Sequence, residues 1–347
     1  VEFISKAVFD SVAGSPFAVQ DLSRVITLQD GEPRPITSMA DQVPAINEIH
    51  QWREQGLYAA GTGQESYLEG ALPNTAIKAA VSSQNTTCRT GVTAQVTDEM
   101  MAVWRGGGRW MLDDAETTRL LQEALDFEVA LATELVLNGM EYMHAAGDAT
   151  NPQGVGVFPG GQTDGLLQWL IAAGSVTYAG GASSTPTAAL TEQMIKNAAR
   201  SIARRYPRIQ PDTMLVSASI REDINSYVGS GAARPITQVV RQGADGTAEL
   251  VGGSNVSFYN TGYSIVKIET EPYYSIIRNA NIPGGADAIV LYNKKMVKHA
   301  QLLPLRTTAL AKTDTSIKQM VTCTYAQEHR NALHAQALLG VQSAFAG

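Results

Sequence analysis

Lys196, Arg200 and Arg204 recur every fourth residue, a spacing that lines three cations along one face of a helix, opposite Ile195, Ala199, Ile202 and Tyr206. Such a stripe sits in solvent, meets an acidic protein surface, or meets nucleic acid. The formal net charge of −7 over 347 residues weighs against a dedicated nucleic-acid binder, which usually carries a basic excess. A solvated face is the default reading, and contact with an acidic neighbouring subunit is the functional one.

Other groups that could do chemistry lack the spacing it needs. Gly154, Gly156 and Gly160 do not keep the GxGxxG interval, and no convincing strand precedes them. Arg105-Gly106-Gly107-Gly108-Arg109 lacks the Lys-Ser/Thr ending of a phosphate loop and reads better as a hinge. His329 and His334 are five residues apart, so a helix would not present them together as a zinc pair. They read as two polar side chains on an outer face. Cys88 and Cys323 form no CxxC pair and are expected to be reduced, partly buried thiols. No G-x-S-x-G elbow occurs, and no carboxylate pair is marked as acid and base. Catalytic, cofactor-binding and metal-ligating residues are therefore expected to be none.

The elements that must carry these side chains follow from pattern. Val92, Ala94 and Val96 alternate as a strand. From Asp113 or Asp114 a helix runs to about Ala145 without proline, with Leu121, Leu125, Ala132, Leu135 and Met143 as its apolar face. Glu116, Glu123, Glu134 and Glu141 are distributed around its surface. Roughly thirty residues at 1.5 Å rise make a rod of about 45 Å, enough to brace an elongated molecule. After a turn-rich boundary at 147–165, helices are expected at 166–173, 191–206 and near 220–227, with a short strand at 214–216. A hairpin follows at 255–259 and 263–269, then strands at 288–292, 296–302 and about 317–325.

The stretch from about Asn47 to Thr87 fits none of these classes. It is far longer than an ordinary loop. It also keeps apolar anchors, among them Trp52, Leu57, Tyr58 and Tyr67, which a disordered segment normally lacks. An extended arm lying on another subunit meets both constraints, so Trp52, Leu57, Tyr58, Tyr67 and Glu69 join Lys196, Arg200 and Arg204 as candidate inter-subunit contacts. Residues 1–45, broken by Pro16, Pro33, Pro35 and Pro44, read as a second arm. At 44% hydrophobic and 17% charged, the composition suits a surface largely taken up in contacts. No apolar run approaches the roughly twenty residues that cross a bilayer, so no membrane partner is expected. Glu2, Lys6 and Asp10 interrupt the N-terminal segment, which does not read as a secretory signal.

The chain resembles a known family over nearly its whole length, in the order arm, long loop, strand, spine helix, mixed α/β domain and final strands. The run Leu302-Leu303-Pro304-Leu305, Leu310-Ala311-Lys312-Thr313-Asp314, Thr324-Tyr325, Arg330-Asn331 and His334 is similar to the closing segment of tailed-bacteriophage major capsid proteins. The family's Gly is missing between Thr313 and Asp314. Trp52, Leu57 and Glu69-Gly70 resemble the extended loop of the same branch.

The resemblance implies an α+β, Hong Kong 97-like major capsid fold with N-terminal arm, extended β-hairpin loop, long spine helix, peripheral domain and axial domain. The implied division is arm 1–46, loop 47–87, peripheral domain with spine helix 88–149, axial domain 150–285, and return strands 286–347 completing the peripheral domain. It further implies a virion shell of hexamers and pentamers, assembled in the host cytoplasm around double-stranded DNA bound without sequence preference. A portal and scaffold or decoration proteins would be partners. Some such shells crosslink Lys to Asn. Lys78 and Asn331 are the candidates, with a solvent-exposed Lys78 the simpler reading. The alternatives are an encapsulin-like nanocompartment shell and a soluble α/β enzyme with an unrecognised site.

Overall fold

The structure is a computed structural model, and it describes residues 33–54, 69, 80–97, 114–148, 163–179, 188–205, 210–229, 240–242, 248–250, 257–276, 287–311 and 316–343. In chain order the elements are α1 (Pro35–Met39), β1 (Asp41–Pro44), β2 (Ile49–Glu54), β3 (Val81–Thr86), β4 (Cys88–Thr97), α2 (Asp114–Ala146) and α3 (Leu166–Ala172). There follow β5 (Val176–Tyr178), β6 (Ala188–Ala189), α4 (Glu192–Arg205), β7 (Thr213–Val216), α5 (Ala218–Gly229), β8 (Val240–Gln242) and β9 (Ala248–Leu250). The chain continues through β10 (Phe258–Asn260), β11 (Ile265–Thr270), α6 (Tyr273–Ile276), β12 (Asp287–Tyr292), β13 (Val297–Ala309), β14 (Ser316–His329) and β15 (Gln336–Gln342).

Two compact units result, and the division between them falls within β4, α2, β13 and β14. In the larger unit a seven-stranded sheet runs in the order β10-β11-β7-β12-β15-β5, with β6 also on β15. Its middle strands obey the period-2 rule on both faces. Leu215, Val290, Tyr292, Ala337 and Leu339 point into one core with α1, α3, α6 and the end of α2. Met214, Val216, Ile289, Leu291, Leu338 and Val341 point into the other, under α4 and α5. Helices thus cover both faces, and the continuous apolar runs of β7 and β12 are what a doubly covered strand requires. β12 and β15 sit mid-sheet, paired antiparallel with each other and, for β12, with β7. Residues this apolar on both faces are buried only at a sheet's centre.

The smaller unit is described by its own core: Val96, Ala124, Leu125, Val129 and Ile317. Gly91 on β4 permits a close approach to β14, since a Cβ there would lie 2.6 Å from Thr322 Cγ2 and 3.2 Å from the Val321 carbonyl oxygen.

The long helix begins and ends within one residue of expectation, but its faces differ. Leu125, Ala132 and Met143 are buried, whereas Leu135 is 46% exposed and Val136 takes the core position. Glu141, expected on the surface, is fully buried. Its Oε1 accepts the Ile36 N–H at 2.7 Å, and its Oε2 accepts the Thr37 N–H at 2.8 Å as well as the Thr37 hydroxyl. A carboxylate caps the first turn of α1 across 105 residues of sequence, satisfying helix N–H groups that have no intrahelical partner.

Candidate assembly interface

The root of the long 47–87 stretch is a two-stranded antiparallel ribbon. β2 pairs with β3 from Ile49 opposite Thr86 to Glu54 opposite Val81. Side chains fasten the root to its own unit. Asn85 donates to the carbonyls of Asp164 and Gln327, at 3.0 and 2.7 Å, and accepts the Asp164 N–H at 3.0 Å. His50 Nε2 lies 2.8 Å from Glu328 Oε2, which brings the ribbon to β14. Trp52 is only 8% exposed, and its indole N–H donates to Glu54 Oε1 at 2.9 Å. Its ring is covered by its own chain, which leaves little of it for a neighbour. Ile49 and Val81, by contrast, are exposed. Glu69 is an exposed turn residue, and Leu57, Tyr58, Tyr67 and Lys78 lie outside the described residues.

The basic stripe on α4 forms as its spacing requires. Ile195, Ala198, Ala199 and Ile202 face the core, and Arg200 and Arg204 are exposed. Lys196 is half-buried and pairs with Glu192 one turn earlier at 2.9 Å, so its charge is already matched within the helix. Exposed pairs of this kind contribute little to stability. Arg200 and Arg204 are left as the cations presented outward.

Histidines and cysteines concentrate where no solvent reaches. His329 and His334 are both buried, which overturns their reading as outer-face side chains. Trp169 stacks on His329 at 4.5 Å between ring centroids and lies tilted against His334. His144 Nε2 and His299 Nδ1 are 2.9 Å apart beside Tyr325. Burial disfavours the charged imidazolium, pushing His299 and His334 down to about 4 and His329 to about 3, and His144 well below its ordinary value. Burial also pushes the Cys323 thiol up to about 12, with Cys88 adding to the shift. A thiol this reluctant to ionise is a poor nucleophile. Cys88 and Cys323 are free and buried. Among the described residues no cluster of His, Cys, Asp or Glu has the arrangement of a metal site.

Asn331 has a structural task that its sequence position did not advertise. Its φ of 61° is left-handed, a conformation Asn tolerates, and its Oδ1 accepts the Leu333 N–H at 3.1 Å. The Arg-Asn pair thereby turns the chain from β14 into the short helical turn before β15.

Several solved structures share this architecture. The holo-SrpI encapsulin complex of Synechococcus elongatus PCC 7942 aligns with a TM-score of 0.54 at 12% identity, over 94% of this chain and 93% of that one. A structure of Mycobacterium phage Bobi aligns with a TM-score of 0.52 at 14% identity, covering 92% and 94%. The satellite phage P4 procapsid containing the size determination (Sid) protein aligns at 0.50 with 10% identity, covering 92% and 94%. At such identities the likeness speaks for the fold alone, which is the Hong Kong 97-like α+β fold. No curated protein sequence matches significantly. A family model described as SU10 major capsid protein matches residues 6–342. A match of that extent makes this chain a member of the SU10 major capsid protein family.

Proposed function

We propose that copies of this chain close as hexamers and pentamers into the icosahedral shell of a virion. The shell encloses double-stranded phage DNA and is assembled in the host cytoplasm. The observation that carries this reading is the family match across residues 6–342. The role is structural, not enzymatic, and a portal with scaffold or decoration proteins would complete the particle. Leu57, Tyr58, Tyr67 and Glu69 reach a neighbouring copy from the ribbon rooted at Trp52, and Arg200 and Arg204, with Lys196, meet an acidic surface on another. The extended loop occupies 47–87, the peripheral domain holds the spine helix, and the axial domain takes in the seven-stranded sheet. The acidic balance of the chain suits a shell that packs DNA without gripping it.

Negative-stain electron microscopy of the purified chain, sized first by light scattering, tests the reading. Closed particles, or rings of five and six copies, are expected. A uniform monomer or dimer that binds a metabolite would refute it in favour of an enzyme. The encapsulin likeness favours one second reading, a nanocompartment enclosing protein cargo. Nuclease-protected DNA inside particles isolated from their natural source supports the virion, and a co-purifying enzyme in its place supports the compartment.

A further inference from the structure

His50 and Asn85 form one rung of the β2–β3 ladder, standing directly opposite each other. Among the described residues, the side-chain hydrogen bonds that tie this ribbon to the rest of its unit all leave from that rung. On the β3 side, Asn85 bonds to backbone groups of Asp164 and Gln327. On the β2 side the partner is a single carboxylate, Glu328. It is buried, and its two oxygens are divided between two elements. Oε1 accepts from Arg330 Nε, and Oε2 lies 2.8 Å from His50 Nε2. A buried carboxylate is tolerated only when it is paired and hydrogen-bonded. Arg330 is half-exposed, so it meets one oxygen from the solvent side and leaves the other aimed at the ribbon.

One point of attachment makes a pivot, and two make a direction. Four further rungs, out to Glu54 opposite Val81, carry the ribbon about 13 Å beyond His50 at the usual rise per residue. An error of about 10° at the rung would move that end by about 2 Å, most of a hydrogen-bond length. Any contact that the outer ribbon makes therefore depends on how the rung is held. We propose that Glu328, oriented by Arg330, is a positioning residue for assembly: through His50 it sets the angle of the ribbon, with Asn85 as the pivot. The inference rests on the shell reading and gives the Arg330-Asn331 pair a double task. Asn331 turns the chain, and Arg330 aims the carboxylate that holds the ribbon.

The test compares His50→Ala, His50→Gln and Arg330→Gln in the full chain. Gln at position 50 can still offer Glu328 a donor close to where the imidazole Nε2 stands, and Arg330 touches the ribbon only through Glu328. In unassembled His50→Ala and Arg330→Gln chains, amide hydrogen exchange at 51–54 and 81–84 is expected to quicken about tenfold, the usual worth of a charged hydrogen bond, while β12 and β15 exchange as in the parent. Electron microscopy should show that the same two variants form particles of broadened diameter or open sheets, and that His50→Gln restores the parent's uniform particles. Variants with unchanged ribbon exchange, or with particles as uniform as the parent's, overturn the positioning role and leave the shell reading standing. Exchange that quickens equally across the whole unit also overturns it, since the three residues would then serve stability alone. Failure of the parent to form any particle or ring overturns the shell reading itself, and the assembly role with it.

Discussion

Glu141 shows how a single residue escapes a pattern-based reading. On the helix wheel it is one more acid on a long amphipathic element, and nothing in its neighbourhood marks it for burial. Its partners, the N–H groups of Ile36 and Thr37, are supplied from over a hundred residues upstream. Glu141→Gln keeps the size but turns an amide N–H₂ toward one of the two backbone N–H donors. It should cost about 1–3 kcal/mol, the usual cost of leaving a buried donor unsatisfied. Urea unfolding of the unassembled chain would measure this loss, and hydrogen exchange at Ile36 and Thr37 should accelerate more than elsewhere. The buried histidines carry a second prediction. Unfolded imidazoles titrate near 6.5, while the folded chain holds His299 and His334 at about 4 and His329 at about 3. Between about pH 6.5 and 4 the unfolded chain binds protons that the folded chain refuses. Stability is therefore full above 6.5 and falls as the pH drops, by up to about 1.4 kcal/mol per pH unit for each histidine. Melting temperatures at pH 7.5, 6.0 and 5.0 should decline in that order, and a flat profile would contradict the burial.

At the scale of elements, much was legible because period reports burial directly. The spine helix, α4 with its apolar and basic sides and the β10–β11 hairpin have runs whose 3.6-residue period or alternation survives in the fold, and β7 and β12 are unbroken apolar runs buried on both faces. β15 was missed because its cue is weak: Gln336-Ala337-Leu338-Leu339-Gly340-Val341 is short, includes a glycine at φ 72°, and follows a turn set by Asn331. β13 and β14 run well past their expected ends, since Pro304, which lacks a backbone donor, argues locally against a strand that pairing nevertheless sustains. Gly91 tests one such pairing. Gly91→Ala puts a methyl 2.6 Å from Thr322 Cγ2, too close without movement, and overpacking of this kind costs about 1–3 kcal/mol. Adding Thr322→Ser removes the nearest obstructing atom and leaves the Val321 carbonyl oxygen at 3.2 Å. The double variant should therefore recover part, not all, of the loss in denaturant titration, and a purely additive result would deny the contact.

For the whole molecule, the question is how one chain makes a stable shell out of modest contacts. The ribbon root is held by Asn85, His50 and the β2–β3 ladder, contacts that a deletion further out along the stretch leaves in place. Deleting about 56–73 should accordingly leave a folded chain, with unchanged circular dichroism and melting temperature, that no longer closes into particles by light scattering. Loss of the fold in that variant would refute the arm reading. Trp52→Ala should behave oppositely. With its ring buried in its own chain, it should lower stability by about 3 kcal/mol or more, as large aromatic truncations do, before it disturbs assembly. The basic stripe belongs to a third regime. Arg200 and Arg204 are exposed, so the attraction proposed between them and a neighbour would be screened as the Debye length shrinks from about 10 Å at 0.1 M salt to about 3 Å at 1 M. Arg200→Glu with Arg204→Glu should raise the protein concentration needed for assembly at low salt, and the gap from the parent should narrow at high salt. In a closed shell each copy repeats the same few contacts around every symmetry axis, so even a tenfold weakening of one contact is multiplied over the particle. Individually weak contacts are what allow a misplaced subunit to leave, and their repetition is what holds the finished shell. A variant pair whose assembly threshold did not depend on salt would place the stripe outside the contacts altogether.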